Sequence, residues 1–374
     1  MSTNDLERAR RLVLRFGWNA VSYQILNPGF RYWFSDQCEA TLGFVKRSGY
    51  WIVAGGPVCD TKDVGEVVTE FEESAARDQC KVCYFGAAER LYDVCRNPPA
   101  YSTVALGAQP WWNPERWPQI IAGRKSLRAQ LNRARNKGVR IIEWASPENA
   151  DRELIGTTPL SVVNRAALEA CLKDWLAARP MPTMHFLVEP DMLQITADRR
   201  IFVALRQNAV CGFLVASPIP LRNGWLIEQI VRTTKAPNGT NELLLDHAMR
   251  ALAASGAKYV TLGLVPLASQ ANAHWAKSAL WLRLLLRWTR AHGRRFYNFQ
   301  GLESFKSKFQ PDGWEAIFAI SNQATFSPRA MYAIAAAFSD KGSPIMQAMR
   351  ALGRAVRQEA RWMGKGLGSS PRSS

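Results

Sequence analysis

The sequence predicts a mixed α/β (α+β) fold in two lobes, followed by a basic amphipathic helical tail. Three observations lead there. An order of strand pair, helix and strand occupies residues 1–150, and a longer version of the same α/β order occupies 151–325. A proline-bounded linker, residues 147–159, lies between them. From residue 326 onward, apolar and basic residues fall on separate helical stripes.

In the first lobe, residues 1–16 read as a short basic amphipathic helix without the apolar run of a signal peptide. β-Formers over 39–45 and 49–54 flank Arg47, Ser48 and Gly49, a hairpin signal. Over 63–78, Val64, Val67, Val68 and Phe71 recur at helical spacing. Short strands follow at 81–85 and 101–106.

Residues 120–138 form the next helix, with Ser126 near its start and Gly138 as its stop. Between 120 and 140 there are seven Lys or Arg and no acid. Arg124, Arg128 and Arg135 share one face, and Leu127 and Leu131 another. Most charge runs are solvated helix faces, but one lacking every acid also suits phosphate, so these three arginines are candidate nucleic-acid contacts. A strand at 141–144 closes the lobe, with the helix close to the join near residue 150.

The second lobe reads as helix 162–179, then strands at 183–188, 201–206, 209–217 and 225–231. A loop, 232–239, opens helix 240–255. Strand 259–264 and helix 271–292 follow. In the tail, 326–374, Ile345, Met349, Leu352 and Val356 make an apolar stripe, and Arg350, Arg354, Arg357 and Arg361 a basic one. Such a helix over 344–363 suits the surface of an anionic bilayer, its own protein, or RNA.

Composition narrows the function classes. Of 374 residues, 47% are hydrophobic and 21% charged, a globular balance too long for one ordinary core. Fourteen Trp and sixteen Phe bury enough area that no disulfide is needed. The net charge of +17 attracts phosphate, whether of nucleic acid, anionic lipid or a small ligand. No run approaches the ~18 apolar residues of a membrane span; the richest, 279–288, contains Arg283 and Arg287. The expected location is cytoplasmic, peripheral on the inner face of the cell membrane.

Metal chemistry is not expected. The Cys80-x-x-Cys83 pair enters a strand, with no second pair or nearby His to complete a zinc site. The seven cysteines read as buried thiols of a reducing compartment. His185, His247, His274 and His292 have no ligand spacing. No cofactor is expected either.

Two stretches carry the chemistry. In the first, a strand ends in Glu228 and Arg232, and a turn with Asn238, Gly239 and Thr240 opens a helix. Free N–H groups at a helix start bind anions or carbonyl oxygens. In acetyltransferases a glycine-rich loop at this place cradles coenzyme A, but here there is one glycine, and Pro237 lacks a donor. In the second stretch, 294–309, aromatic and polar residues alternate through Tyr297 and Asn298 before Lys306 and Lys308. Phe305 and Phe309, four apart, face inward.

The segments APNGT, TLGLVPL, FYNFQGLESFKSKFQP and SLRAQLNRARNKG resemble the C-terminal catalytic domain of the phosphatidylglycerol lysyltransferases, the multiple peptide resistance factor family. The resemblance covers about residues 15–325. It implies two tandem acetyltransferase-like (GNAT) lobes, the second catalytic, and transfer of an aminoacyl group from aminoacyl-tRNA to an anionic membrane lipid such as phosphatidylglycerol. The best-known members also carry an N-terminal multi-helix membrane domain, absent from this sequence, so lipid flipping is not expected.

An aminoacyl ester is already activated, so the protein must position an acceptor, take its proton and stabilise an oxyanion. Glu228 is the candidate base, or the holder of the donor's α-amino group; an ion pair with Arg232 is the structural alternative. Arg232 and Lys306 are candidates for phosphate or oxyanion, with Lys308 beside them. Asn238, Gly239 and Thr240 are candidates to hold a carbonyl, and Tyr297 and Asn298 to orient the acceptor. Glu228, Arg232, Asn238 and Lys306 are expected to converge on one pocket. The rival readings are an acyl-coenzyme A N-acyltransferase and a non-catalytic membrane- or RNA-binding module on the same fold.

Overall fold

A computed structural model of the chain describes residues 3–96, 100–144, 163–178, 186–188, 192–194, 196–271 and 299–339. The strands are β1 (Arg31–Phe34), β2 (Thr41–Arg47), β3 (Tyr50–Ala54), β4 (Lys81–Ala87), β5 (Ser102–Trp112), β6 (Val139–Trp144), β7 (Arg200–Arg206), β8 (Ala209–Ile219), β9 (Gly224–Arg232), β10 (Tyr259–Thr261), β11 (Val265–Pro266) and β12 (Gly313–Ser321). The helices are α1 (Thr3–Phe16), α2 (Val64–Arg77), α3 (Glu89–Cys95), α4 (Trp117–Gly123), α5 (Lys125–Asn136), α6 (Arg165–Ala177), α7 (Thr240–Ala254), α8 (Phe299–Ser307) and α9 (Pro328–Ala337).

All strands join one twelve-stranded sheet, in the order β1-β2-β3-β4-β12-β5-β10-β9-β8-β7-β6, with β11 on β5. Two parallel pairs stand out in this otherwise antiparallel sheet: β3 with β4, and β9 with β10. Each pair is bridged by a helix, α2 in the first half and α7 in the second. A parallel pair needs such a crossover, so each half carries one strand–helix–strand unit. The halves meet where β5 pairs antiparallel with β10, Trp112 opposite Val260.

Local sequence explains the elements. Helix α2 buries Val64, Val67, Val68, Phe71 and Ala75, a single stripe laid on the sheet. Phe71 meets Trp33, Phe44 and Trp51 there, with ring centroids 5.2–5.8 Å apart. The expected single helix over 120–138 is two helices, broken at Arg124 (φ −122°, ψ 98°). Arg128 reaches back to the carbonyls of Ile121 and Ala122, capping the open end of α4.

Packing sets a different join from the expected one at residue 150. Trp117, Ile121, Leu127, Leu131 and Val139 bury with Phe202, Leu244 and Met249, so α4, α5 and β6 belong to the second core. Conversely, β12 returns to the first half and lies between β4 and β5, hydrogen-bonded to both. Helix α9, expected in the tail, buries Ala330, Ala333 and Ile334 against the first core. Filling the place between β4 and β5, β12 leaves neither strand with an open edge there.

Three further expectations change. Residues 186–188 form a 3-10 turn instead of a strand. Strand β10 stops at Thr261, three residues short of its expected end. β1, β11 and β12 were not anticipated. The expected helices 271–292 and 344–363 lie outside the described residues, apart from Ala271. Among the described residues, no helix is long and apolar enough to cross a membrane.

Candidate functional site

The site is built on a break in the second lobe's sheet. β9 pairs with β8 with a register shift: Ile227 lies opposite Ala216 and Gln229 opposite Val215. Glu228 is therefore the extra residue of a β-bulge, a device that re-aims a side chain and bends its strand. On its other edge β9 follows β10 only as far as Leu226 opposite Thr261. Beyond that pair the chain turns away through Gly263, at φ 71°, and joins β5 through β11. The sheet thus opens beside the bulge that carries Glu228.

The Glu228 carboxylate is engaged. Arg199 Nε donates to its Oε1 at 2.8 Å and Arg199 Nη2 to its Oε2 at 3.3 Å. Gln24 Nε2 from the first lobe also reaches Oε2, at 3.4 Å. The two charged side chains are 1% and 0% exposed. Arg199 further donates to Asn27 Oδ1 at 2.9 Å and to the carbonyl of Met192 at 3.3 Å. The expected structural alternative paired Glu228 with Arg232; the partner is Arg199.

A second pair adjoins this one. Arg10 of α1 makes a two-pronged contact to Asp198, 2.7 Å on each oxygen, and Tyr23 donates to the same carboxylate at 3.1 Å. The hydrogen bonds that Arg10 donates to Asp198 raise its guanidinium above its usual value. Burial pushes the Tyr23 hydroxyl up as well. Residues from α1 and the turn Ser22–Leu26 thus lock onto the bulge and onto the segment before β7. Removing one member of such a buried pair leaves an uncompensated charge.

Lys306, on α8, is 6% exposed and stands on the other wing of the opening. Its ammonium donates to the carbonyls of Leu262, Gly263 and Leu264 at 2.7, 2.9 and 3.2 Å. Those are the residues that leave β9. A lysine has three N–H donors, and all three are used. In this structure the ammonium is engaged by carbonyl oxygens on the opening's wing, where an anion was expected. The side chain braces the wing that leaves the sheet. Burial pushes its ammonium down to about 7.

At the start of α7 the residues are divided. Asn238 is exposed and Gly239 is buried at φ 95°. A Cβ on Gly239 would overlap the carbonyl oxygen of Gln130, so glycine here admits α5 against the α7 terminus. Thr240 turns both its N–H and its hydroxyl to the Pro237 carbonyl, at 3.3 and 2.7 Å. This spends groups that would have held a ligand carbonyl. Lys308 is the cation that reaches this terminus: it pairs with Glu242 at 2.6 Å and lies over the Phe305 ring.

Among the described residues, Glu228 pairs with Arg199, Lys306 holds the carbonyls of 262–264 on the opposite wing of the same opening, and Lys308 pairs with Glu242 at the helix start. Arg232 closes β9, opposite Gly212, and its side chain makes no hydrogen bond or ion pair among the described residues. Tyr297 and Asn298 lie outside the described residues. On α4 and α5, Arg124 is exposed, Arg128 caps α4, and Arg135, half exposed, pairs with buried Asp246 at 3.2 Å. Lys125, Arg133 and Lys137 are also exposed on this acid-free segment. Cys83 is fully buried, and its thiol is pushed up to about 12 by burial. Sequence reasoning missed Gln24, Asn27, Asp198 and Arg199, which carry no motif and meet Glu228 only through the fold.

Comparison with known proteins places this architecture. Residues 10–320 match the family described as phosphatidylglycerol lysyltransferase, C-terminal. The L-PGS structure from Bacillus licheniformis is 19% identical, with a TM-score of 0.70 over 91% of this chain and 98% of that one. The C-terminal DUF2156 domain of an Agrobacterium fabrum protein, assigned as a lysylphosphatidylglycerol synthetase, is 20% identical, with a TM-score of 0.67 over 86% of this chain and 92% of that one. The FemX structure is 8% identical, with a TM-score of 0.52 over 89% of this chain and 98% of that one. No curated protein sequence matches. With a family match over residues 10–320, the chain belongs to the phosphatidylglycerol lysyltransferase C-terminal family, and it shares the fold of these solved structures.

Proposed function

We propose that the second lobe transfers an aminoacyl group from aminoacyl-tRNA to a hydroxyl of an anionic lipid such as phosphatidylglycerol. The observation that carries the reading is the Glu228 bulge beside the opening of β9 from β10, in a chain of this family. The acceptor oxygen attacks the ester carbonyl, the bond to the tRNA ribose oxygen breaks, and the acceptor's proton passes to that leaving oxygen. The family's chemistry supports the lipid; the acid-free basic surface of α5 supports the tRNA.

Glu228 is assigned to the donor's α-ammonium group in preference to proton abstraction. Its Oε1 is committed to Arg199, while among the described residues Oε2 has the two longer contacts of 3.3 and 3.4 Å. Arg232 is assigned to a phosphate, and Lys306 to holding the opening. Arg124, Arg128 and Arg135 are assigned to the tRNA backbone, and Tyr297 and Asn298 to the acceptor. The α7 start counts against acyl-coenzyme A, because the Thr240 N–H is turned inward to Pro237. The protein acts at the inner membrane surface, where both substrates meet.

The test is direct. The protein is incubated with a pool of radiolabelled aminoacyl-tRNAs and phosphatidylglycerol vesicles, and lipid is extracted. Label is expected in the lipid fraction and is expected to fall at least tenfold with Glu228→Gln. Lipid that stays unlabelled with every aminoacyl-tRNA would reject the reading.

A further inference from the structure

Two first-lobe amides each hold one member of the Glu228–Arg199 pair by one end and leave the other end unpartnered among the described residues. Gln24 Nε2 donates to Glu228 Oε2 at 3.4 Å, while Gln24 Oε1 is buried with no hydrogen-bond partner. Asn27 Oδ1 accepts from Arg199 Nη2 at 2.9 Å, while Asn27 Nδ2 is buried with none. The two residues are 5% and 2% exposed. Their charged partners fix which way each amide faces. Reversed, Gln24 would set an oxygen against a carboxylate, and Asn27 an N–H against a guanidinium.

The turn that carries both amides is anchored in the first core. Its Tyr23, Ile25 and Leu26 are buried there. Ile25 lies against β2 so closely that a Cβ on Gly43 would overlap it. The Asn27 N–H donates to the Gln24 carbonyl at 3.1 Å and closes the turn. Gln24 and Asn27 therefore meet the bulge from a rigid base.

Folding does not explain a glutamine at position 24. Its one side-chain contact to Glu228, at 3.4 Å, is longer than the ordinary N–H···O range of about 2.7–3.2 Å. Glu228 keeps its two contacts with Arg199 without it. A buried carbonyl with no donor costs more than so long a hydrogen bond returns. Methionine would fill similar space and leave no polar atom unpaired. Rules of local stability are broken in this way where a geometry serves a site.

We propose that Gln24 is a positioning residue of the transfer site: it directs Glu228 Oε2 towards the donor's α-ammonium, and Asn27 fixes Arg199 behind it. The first lobe thereby sets the geometry of the second lobe's carboxylate. The assignment rests on the transfer reading above, in which Glu228 receives that ammonium. Gln24 acts through Glu228 and need not touch the substrate. Oε1 is committed to Arg199 Nε at 2.8 Å, so Oε2 is the oxygen whose direction the amide sets.

The experiment uses the full chain, phosphatidylglycerol vesicles and the radiolabelled aminoacyl-tRNA pool, either as such or with its α-amino groups converted to hydroxyls. The second donor lacks the charge and nearly keeps the size. Wild type is expected to prefer the amino donor by about tenfold or more in kcat/KM, the worth of a charge-assisted contact. Gln24→Met is expected to lose about threefold or more of that preference, through the amino donor alone, and to unfold in as much urea as wild type or more. A merely structural role would lower both donors together. An unchanged preference in Gln24→Met overturns the assignment and leaves the transfer reading standing. So does a variant that unfolds in less urea or does not fold, since the amide then serves the fold. A wild type that transfers from both donors equally also overturns it, because no ammonium is then read. Wild type that labels no lipid from either donor removes the transfer reading and this assignment together.

Discussion

The bracing role of Lys306 can be tested through the pH dependence of stability. Its ammonium lies near 7 in the folded protein against 10.5 for an ordinary lysine, because burial penalises the charged form. The unfolded chain therefore binds more protons than the folded one between those values, and stability rises with pH across that window. One proton contributes at most about 1.4 kcal/mol per pH unit. From pH 7, where the folded group is half protonated, to pH 9, where it is neutral, the gain is about 2 kcal/mol. The three carbonyls favour the charged form and oppose desolvation, so this is the upper end. Lys306→Met removes the titrating group while nearly keeping its volume. Urea unfolding at pH 7 and pH 9 should show the gain in wild type and lose it in the variant. At pH 9 the variant should also be less stable, by about 1–3 kcal/mol, since the carbonyls of 262–264 lose their donors. Equal pH dependence in the two proteins would refute the burial argument, and an unchanged midpoint at pH 9 would refute the bracing role.

Three further outcomes are expected. Arg199→Met and Glu228→Leu should each destabilise the protein by about 3–5 kcal/mol, and the double variant by less than either, because only the singles leave a buried charge unpaired; additive losses in denaturant melts would contradict the pairing. Gly239→Ala should cost about 2 kcal/mol or more, since the new methyl group meets Gln130 at a positive φ, and a melting temperature within a degree of wild type would argue against the α5–α7 approach. Lys125→Gln with Arg133→Gln should leave stability within about 0.5 kcal/mol yet lower the salt slope of RNA binding by about 0.7–0.9 per charge removed; an unaltered slope would take α5 out of the RNA surface.

Much of the fold was legible because it depends on local periodicity. Val64, Val67, Val68 and Phe71 announce α2 by their spacing, and the structure buries all four on one face. The run of basic residues between 120 and 140 also marks a helical, largely exposed segment, although the break at Arg124 is invisible to helix propensity. That break depends on Arg128 turning back to cap α4. Strand β12 was missed for a related reason. Its membership of the sheet follows from the gap between β4 and β5, more than two hundred residues upstream, and no local pattern records that gap.

The candidate site divides along the same line. Sequence alone marked the β9–α7 junction and the Lys306–Lys308 stretch as the chemically loaded segments, since a charged strand end leading to a helix start, and lysines among aromatics, are local features. Tertiary structure alone decided what each charge does. Gln24 reaches Glu228 across 204 positions and Arg10 reaches Asp198 across 188, while Lys306 finds three carbonyls 42 to 44 positions away. Spacing along a chain reports which face of an element is buried. It carries no information about which distant polar group will be buried against it, and in a low-dielectric interior that partner determines whether a side chain is committed to the fold or remains available to a ligand.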